Sequence, residues 1–539
     1  MIMKKLVFLS FLLGYACLGK DKPNVVFILA DDMSRDTWGA YGGKECKTPN
    51  IDRLAKDGAR FDRAYCSVAM CAPFRQELYS GRSPWRTGTL PNHSKSVAGT
   101  KSIVHYLKPL GYRVALLGKS HVGPNECYPF EKLGDVSKRV DANPETLAKA
   151  QSFLDDCKKS DKSFCLFIGS HDSHAPFTTG DPSAYDAKKL TVPPYWVDTP
   201  QLREEMVKYY AEITNFDKLV GMMRKELEKR KLWENTIFMV CSEQGTQLPF
   251  AKWTCYDNGL RTGFVMHWSG VTQAGSVIED LVSTADVTPT LVEAAGGDLK
   301  PGACDGMSFL PLLKGKTLEK PRKYVFGAFT NCRIIDNRDR VYPIRSIRDR
   351  QFSLIYNPNH GSITSNVSLS QALQMLNGED TASKNLNLAA SWVPRAKKDK
   401  RSKALLHKLH HRPEYELYDL SKDPYELENK ADDPKYKKAF DRLNKALRSK
   451  LKHLGDPDPI ATEKSLVGSG GKKKKKPTKI SKTETCKGYT INYEDEPIYV
   501  DPRNEKLGAK LIVAAKNASS KINKLGLKVS QKEKYYAKS

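Results

Sequence analysis

Two adjacent carboxylates, Asp31 and Asp32, stand directly after the apolar run Asn24–Ala30. The run is rich in β-branched residues and predicts a buried parallel strand, and ligands of open α/β sheets bind at the carboxyl ends of such strands. Neighbouring carboxylates repel each other and are costly to bury unless they face a hard divalent cation such as Ca2+, which takes oxygen ligands. The pair therefore predicts a metal site, with a solvated Asp-Asp turn as the alternative.

Three further apolar runs predict strands, and each is followed at once by side chains that can carry charge or a proton. The runs span 114–117, 164–168 and 236–240, and the residues after them are Lys119 and His121, then Asp172 and His174, then Glu243 and Gln244. Taken singly, such residues are more often surface or capping groups. Because parallel strand ends meet at one edge of a sheet, we expect them to converge there. Helical periodicity over 201–231 predicts a helix that covers this sheet.

A cysteine motif provides the link between these clusters. Cys71-Ala72-Pro73-Phe74-Arg75 is followed by Gly81-Arg82, and alone it is a weak signal because a cysteine is most often a small buried hydrophobe. Together with Asp31-Asp32 and the joining stretch 48–65, it resembles the Cys-x-Pro-x-Arg signature of the type I sulfatases. In that family the motif cysteine is oxidised to formylglycine before the enzyme can work.

Other stretches resemble one branch of this family, the sulfamidases or heparan N-sulfatases, whose members include bacterial polysaccharide sulfatases. They are 118–130, 192–200, 242–252, 342–352 and 415–425, so that the resemblance covers residues 22–455. It implies an alkaline-phosphatase-like α/β fold: a large mixed-sheet domain sandwiched by helices, and a smaller C-terminal α+β domain with an antiparallel sheet and a helix. The predicted boundaries are a signal peptide at 1–19, the catalytic domain at 20–340, the smaller subdomain at 341–460, and a Lys-rich linker with a basic extension at 461–539.

The resemblance also implies roles for individual residues. Ca2+ is expected to be bound by Asp31, Asp32, Glu243, Gln244 and the formylglycine made from Cys71. Arg75 is expected to hold the formylglycine hydrate, Lys119 and Lys252 to contact the sulfate, and His121 and His174 to transfer protons. Candidate sugar-binding residues are His93, Asp172, Arg345 and Arg348, although an ordinary ion-paired arginine is the alternative for the last two. Many sulfatases have Asp followed by Asn or His in place of Glu243-Gln244, so these two ligands depart from the usual pattern.

The implied reaction is hydrolysis of a sulfate ester or sulfamate by the formylglycine hydrate as nucleophile, in an exo-acting pocket for a sulfated sugar. His174 is the expected acid at the leaving group, and His121 the base that lets sulfate depart. A phosphoesterase or phosphonate monoester hydrolase on the same fold is the alternative, because phosphate is the nearest tetrahedral anion. A non-catalytic polyanion-binding protein would explain the basic tail but not the motif residues.

Composition fits an exported enzyme. The 539 residues exceed a single ordinary core, and the net charge of +26 includes the run Lys472 to Lys476 in the C-terminal extension. The first 19 residues have a basic start and a short apolar stretch typical of a signal peptide, which predicts a periplasmic or secreted protein without a transmembrane span; Cys17 leaves a lipid anchor open. We expect a formylglycine-generating maturation enzyme and a sulfated oligo- or polysaccharide as partners, but no nucleic acid, since no nucleic-acid-binding motif accompanies the charge.

Overall fold

A computed structural model describes residues 22–134, 144–330, 341–366, 368–379 and 386–469, together with the backbone of six short strands after residue 477. The chain forms two compact units, Met1–Glu463 and Lys464–Ser539. The predicted signal peptide lies outside the described residues. No helix in the described part of the chain is both long and apolar enough to cross a membrane.

The described part of the first unit contains fifteen strands. In chain order they are β1 Asn24–Ala30, β2 Ala59–Phe61, β3 Ala64–Tyr65, β4 Arg113–Gly118, β5 Glu131–Gly134, β6 Phe164–Gly169, β7 Thr236–Ser242, β8 Arg261–Thr262, β9 Phe264–His267, β10 Ser276–Ile278, β11 Val282–Ser283, β12 Val325–Phe329, β13 Ile344–Arg348, β14 Phe352–Tyr356 and β15 Tyr415–Asp419.

The helices of this region vary from single turns to eight turns. They are α1 Pro49–Asp57, α2 Cys71–Ser80, α3 Pro84–Thr87, α4 Ile103–Leu107, α5 Pro144–Lys159, α6 Pro200–Lys229, α7 Asp257–Leu260, α8 Val287–Ala294, α9 Leu310–Leu313, α10 Ser370–Leu376, α11 Leu388–Ser391, α12 Val393–Ala396, α13 Lys400–His410, α14 Lys437–His453 and α15 Pro459–Ser469.

The large sheet has eight strands in the order β10-β2-β9-β7-β1-β6-β4-β5. Strand β1 lies between β6 and β7 and pairs in parallel with both. All seven of its residues are buried, as expected for a run of apolar residues that is covered on both faces. The four predicted strands are therefore the adjacent strands β7, β1, β6 and β4, and their carboxyl ends lie at one edge.

Helix α2 places the cysteine motif at that edge. It begins at Cys71, accommodates Pro73 in its first turn, and ends before Gly81, whose φ of 66° is the left-handed conformation that favours glycine at a helix C-terminus. All ten of its residues are buried. A helix that is buried on every side holds its first residue in a fixed position, which a reactive group at Cys71 requires.

The smaller sheet is antiparallel, with the order β12-β13-β14-β15. Helix α14 packs on it through Leu443, Leu447 and Leu451, which share one face because they are four residues apart. The prediction of a large α/β sheet with a smaller antiparallel sheet and helix is thus confirmed. Strand β12 precedes the predicted boundary at residue 340, so the smaller sheet takes residues from both predicted domains.

The described residues of the second unit, considered by themselves, form six short strands. These are β16 Thr478–Lys479, β17 Thr483–Cys486, β18 Tyr489–Asn492, β19 Tyr499–Val500, β20 Leu527–Ser530 and β21 Lys534–Ala537. Strands β17 and β18 form a hairpin, and the other four form a sheet in the order β16-β19-β21-β20.

Candidate active site

The edge of the large sheet collects the charged residues that follow its central strands. Asp31 and Asp32 follow β1, Lys119 follows β4, and Glu243 and Gln244 follow β7. The two aspartates, Glu243 and Gln244 are fully buried. The main chain of the loop after β6 fixes the first of them, because the Asp31 N–H donates to the Asp172 carbonyl at 2.8 Å. The expected convergence of strand ends therefore occurs at this edge.

The Cys71 side chain lies against these carboxylates. Its Sγ is 3.4 Å from Oδ1 of Asp31 and 3.9 Å from Oδ1 of Asp32. One ligand atom from each of Asp31, Asp32, Cys71 and Glu243 falls within 4.8 Å of the others. Four such atoms, three of them carboxylate oxygens, can surround one cation.

Three buried or nearly buried cations balance the carboxylates. Lys119 Nζ forms an ion pair with Oδ2 of Asp31, and Lys252 Nζ lies 2.5 Å from Oδ2 of Asp32. Arg75, one helical turn after Cys71, donates from Nε to Oε1 of Glu243 at 2.5 Å. The Arg75 Nη1 group also donates to the carbonyl oxygen of Lys119 at 2.6 Å, which joins α2 to the end of β4.

Proton affinities in this cluster are far from their usual values. Burial alone would raise the pKa of Asp31, but Lys119, a hydrogen bond with Glu243 and the charge of Arg75 hold it well below its usual range. Burial, together with the charge of Asp31, raises the pKa of Glu243 to about 8 against the opposing effect of Arg75. Burial, followed by the charges of Asp31 and Glu243, raises the pKa of the Cys71 thiol well above its usual value. An unmodified Cys71 is therefore a protonated thiol and a poor nucleophile, since the thiolate is the reactive form.

Two oxygen atoms at the site have no protein partner among the described residues. They are Oε2 of Glu243 and Oε1 of Gln244, both fully buried. Buried polar atoms without partners are rare in native proteins and call for an explanation such as a bound ion. The Gln244 amide nitrogen donates to Oδ1 of Asp32 at 2.5 Å, so the amide is held in this position. Carboxylate and amide oxygens are ligands that Ca2+ prefers, and the residues present fit that ion.

Four histidines border the cluster. Nε2 of His121 lies 2.7 Å from Nδ1 of His93, and Nε2 of His174 lies 3.6 Å from Oδ2 of Asp32. Burial, and then the charges of Lys119 and His93, lower the pKa of His121 to about 3. His121 is therefore neutral at ordinary pH, and a neutral imidazole can accept a proton.

The fourth histidine, His171, was not among the predicted site residues. Burial and the nearby charge of Lys119 lower its pKa to about 4, and Asp31 acts in the opposite direction. Its buried Nδ1 has no hydrogen-bond partner among the described residues. The sequence showed His171 and His174 in one loop but gave no sign that both rings border the same charges.

Two of the predicted sugar-binding residues are placed elsewhere. Arg345 and Arg348 lie in β13 and are 0% and 1% exposed, so the prediction that they face a substrate pocket is wrong. Arg345 donates from Nε to Oδ2 of Asp456 at 2.6 Å, and Arg348 pairs with Asp257 at 3.2 Å. They stabilise the smaller sheet as ion-paired arginines, which was the alternative left open.

Asp172 is also unavailable to a sugar. Its side chain is fully buried, and it accepts hydrogen bonds from Thr179 at 2.6 Å and from Asn215 at 2.8 Å. Because its carbonyl receives the Asp31 N–H, this residue fixes the loop that carries His171 and His174 against β1. Of the predicted sugar-binding set, only His93 borders the charged cluster.

Comparison with known proteins identifies the class. The sulfatase family matches residues 23–297, just over half of the chain, and the C-terminal region of N-sulphoglucosamine sulphohydrolases matches residues 245–365. The chain therefore belongs to the sulfatase family and is a sulfuric ester hydrolase. The resemblance read from the sequence is confirmed.

Two relatives show which sulfatases this chain is similar to. An ulvan-active sulfatase of Formosa agariphila is 33% identical over 437 residues, which cover 81% of this chain and 81% of that protein. The N-sulphoglucosamine sulphohydrolase of Homo sapiens is 27% identical over 488 residues, which cover 80% of this chain and 91% of that protein. This chain is thus similar to both polysaccharide-active and N-sulfoglucosamine-active enzymes.

Solved structures support the fold alone, because their identities are low. A protein solved in complex with its substrate D-glucosamine-2-N,6-O-disulfate has a TM-score of 0.61 at 19% identity, covering 82% of this chain and 99% of that one. The phosphonate monoester hydrolase of Agrobacterium radiobacter also has a TM-score of 0.61, at 18% identity, covering 88% and 100%. The fold is therefore shared by sulfate and phosphonate hydrolases.

Proposed function

We propose that this protein removes sulfate groups from sulfated carbohydrates, using a formylglycine made from Cys71 and a bound Ca2+. The observation that carries the proposal is the buried cluster in which Cys71 lies against Asp31 and Asp32, with Lys119 and Lys252 beside them. When present, formylglycine supplies a hydrate hydroxyl as nucleophile, and Ca2+ supplies positive charge that favours its ionised form.

The chain's own residues bind and orient the sulfate. Lys119 and Lys252 each place an ammonium group beside the carboxylates that flank Cys71, so both can hold sulfate oxygens as the substrate enters. Lys119 is 14% exposed and Lys252 is 3% exposed at the side chain, and this buried setting strengthens their attraction for an anion. Arg75 stays paired with Glu243, and its buried Nη2 has no protein partner among the described residues. That atom is available to hold the modified side chain at position 71.

Two histidines are placed for proton transfer. His174 is 37% exposed at the side chain and has one ring nitrogen 3.6 Å from Asp32, so it can reach the oxygen or nitrogen that leaves with the sugar. We assign it the role of general acid. We assign His121, whose Nε2 lies 2.7 Å from Nδ1 of His93, the role of general base.

The substrate class follows from the relatives rather than from the site. Relatives named for ulvan and for N-sulfoglucosamine support a sulfated poly- or oligosaccharide, attacked from a chain end, with either O-sulfate or N-sulfate as the group removed. Our prediction for the organisation of the chain remains that of an exported enzyme. It has a signal peptide at 1–19, a catalytic domain at 20–340, a subdomain at 341–460 and a basic extension at 461–539. A formylglycine-generating enzyme remains the predicted maturation partner.

A phosphonate monoester or phosphate ester hydrolase is the second candidate, favoured by the shared fold with the Agrobacterium enzyme. Such an enzyme would use the same metal ligands and also bind a tetrahedral anion, so only tests with sulfate and phosphorus esters separate the two functions.

The test is sulfate release from defined saccharides by protein whose Cys71 conversion has been verified by peptide mass. The panel should include N-sulfoglucosamine, O-sulfated algal and animal sugars, and matched phosphate and phosphonate esters. Release of sulfate from any saccharide supports the proposal, and the N- or O-linked position then defines the branch. Turnover of phosphorus esters alone, at full conversion, would reject it.

A further inference from the structure

A second cavity lies away from the catalytic edge, with a volume of about 360 Å3. Its wall combines residues of α2 and α3 with the C-terminal end of α14, and none of the residues assigned to catalysis lines it. The volume falls within the range of small-ligand sites and suits a sugar ring with its substituents.

Helix α2 separates this cavity from the active site. Arg75 points to the catalytic cluster, whereas Glu77, two residues later, lines the cavity. Two helical steps turn by about 200°, so these side chains leave the helix on nearly opposite sides. A ligand in the cavity would therefore not occupy the sulfate position beside Cys71.

Basic side chains outnumber acidic ones in the wall, where Arg86, Arg322, Lys450 and His453 face Glu77 and Asp305. Arg86 is paired with Asp305 at 2.8 Å, at the outer rim. Lys450 and His453, in the last turn of α14, have no ion-pair partner among the described residues. The buried Nε of Arg322 has no hydrogen-bond partner there either, although its Nη2 pairs with Asp286. These groups leave positive charge and a free donor for an anionic ligand.

The rest of the wall is suited to a sugar. Trp85 is held in place by a hydrogen bond of 2.9 Å from its Nε1 to Asp456, and Tyr65 and Phe326 also line the cavity. The half-buried rings of Trp85 and Phe326 offer apolar surface against which the C–H groups of a sugar ring can pack, and Nζ of Lys450 lies 5.6 Å from the centre of the Phe326 ring. Ser67, Ser83 and Ser283 also line the wall. The Ser83 hydroxyl can exchange hydrogen bonds with sugar hydroxyls, whereas the Ser67 hydroxyl donates to Oε1 of Glu77 at 2.5 Å and can only accept from a sugar.

Glu77 provides an acceptor in the wall. Its carboxylate receives hydrogen bonds from the Ser67 N–H at 3.1 Å and the Thr284 hydroxyl at 3.0 Å, so it is held in place. A carboxylate is an acceptor for the hydroxyls of a sugar but repels a bare anion. The cavity therefore favours a ligand with hydroxyls at one side and a single anionic substituent at the other.

We propose that this cavity is a second binding site, separate from the catalytic centre, for an acidic sugar unit whose carboxylate or sulfate pairs with Lys450 and His453. The proposal does not depend on the proposed catalytic function, because binding is measured without turnover. In a protein that meets a charged polysaccharide, such a site would hold the polymer to the enzyme surface.

The test uses the full chain and saturation-transfer NMR with glucuronate, which has no sulfate to be cleaved, and glucose as the neutral control. The variant Lys450→Glu should weaken glucuronate binding about tenfold or more, because it reverses a charge at the site. The matched control is Lys452→Glu, which makes the same charge change at an exposed position of the same helix that does not line the cavity. The Lys452→Glu variant should bind glucuronate as the parent does. It therefore separates the loss of a specific contact in the cavity from the effect of lowering the net charge of the protein.

A second variant, His453→Gln, removes only the imidazole, and we expect a smaller loss of glucuronate affinity than for Lys450→Glu. Melting temperatures of all variants should match that of the parent, since both side chains are at the surface end of α14. Equal glucuronate binding by the Lys450 and Lys452 variants would overturn the proposal. Unchanged hydrolysis of a small aryl sulfate by Lys450→Glu, with weaker glucuronate binding, would support two separate sites.

Discussion

The molecule buries arginines in two regions, and the surroundings of each differ. At the edge of the large sheet, Arg75 pairs with Glu243, and further carboxylate–lysine pairs from other strand ends lie beside them. In the smaller sheet, Arg345 pairs with Asp456, and Arg348 pairs with Asp257, which also pairs with Arg261. Both Arg345 and Arg348 donate to main-chain carbonyls as well. The first region is a network of several carboxylates and cations, whereas in the second each carboxylate pairs with only one or two arginines.

The difference shows what a buried charge indicates. In the smaller sheet Nη2 of Arg345 and Oδ1 of Asp456 also lack hydrogen-bond partners among the described residues, but both side chains are at most 1% exposed and solvent does not reach them. At the catalytic edge the oxygens of Glu243 and Gln244 lack protein partners, while Lys119 and His174 stay partly exposed. Unsatisfied polar atoms beside a buried arginine therefore mark a binding site only where a path to solvent also exists.

The largest effect is expected at Cys71. Replacing it with alanine removes the group that is converted to formylglycine, so turnover of a sulfate ester should fall by about 10^3-fold or more. The fold should persist, because only a small buried side chain is shortened. The matched control is Cys165→Ala, another buried cysteine, which is the second residue of β6 and lies outside the site. Steady-state kinetics on verified preparations should show near-parental turnover for Cys165→Ala, and near-parental turnover for Cys71→Ala would contradict the mechanism.

Arg75 and Arg345 provide the direct comparison of the two regions. Arg75→Ala and Arg345→Ala each leave a buried carboxylate unpaired, so each should lower the free energy of unfolding by about 3–5 kcal/mol. Their kinetics should differ: the Arg75 variant should lose turnover by about 10^2-fold or more, whereas the folded Arg345 variant should stay within a few fold of the parent.

Thermal denaturation followed by kinetics below the melting temperature separates these effects. An Arg345 variant with intact stability but lost turnover would mean that β13 does reach the substrate. The conservative change Arg75→Lys should restore stability better than turnover, because lysine keeps the charge but not the planar donor geometry.

The sequence predicted the catalytic edge well because its signals are local. The apolar run of β1 and the Asp31-Asp32 pair lie within nine residues, and the motif residues Cys71 and Arg75 are one helical turn apart. The parallel order of neighbouring strands then brings the distant loops together, which is a general property of such sheets.

The ion pairs of Arg345 and Arg348 could not be predicted from local sequence in this way. Their partners, Asp456 and Asp257, are 111 and 91 residues away in the chain, so the pairing depends on tertiary packing. The local sequence shows only two arginines near apolar residues, which fits a sugar pocket as well as an ion-paired strand. Likewise, only the three-dimensional arrangement shows that His171 borders the cluster while the Asp172 side chain turns inward.

Removal of the metal should lower the stability of the protein by less than the arginine substitutions do, and only through the catalytic edge. A cation held by Asp31, Asp32, Glu243 and Gln244 stabilises the native state by mass action, by about 2.7 kcal/mol when its free concentration is 100 times its dissociation constant. We therefore expect the melting temperature to fall in excess EGTA and to recover with Ca2+. Asp31→Asn should abolish this response, whereas Asp257→Asn, at the ion pair of the smaller sheet, should retain it. A response to Ca2+ in Asp31→Asn equal to that of the parent would place the ion elsewhere.

The smallest expected effect is the pH dependence of the ion pair in the smaller sheet. Burial opposes ionisation of Asp257, but Arg261 and Arg348 outweigh it and lower its pKa below the usual value near 3.8. A carboxyl whose folded pKa is lowered contributes stability above its unfolded pKa, and that stability is lost as the pH falls towards the folded pKa. The difference in melting temperature between the parent and Asp257→Asn should thus be largest near pH 7 and should narrow below about pH 4. A difference in melting temperature that stays constant from pH 7 to pH 3 would show that the ionised Asp257 carboxylate does not stabilise β13. The two regions would then differ only in how accessible their charged groups are to solvent.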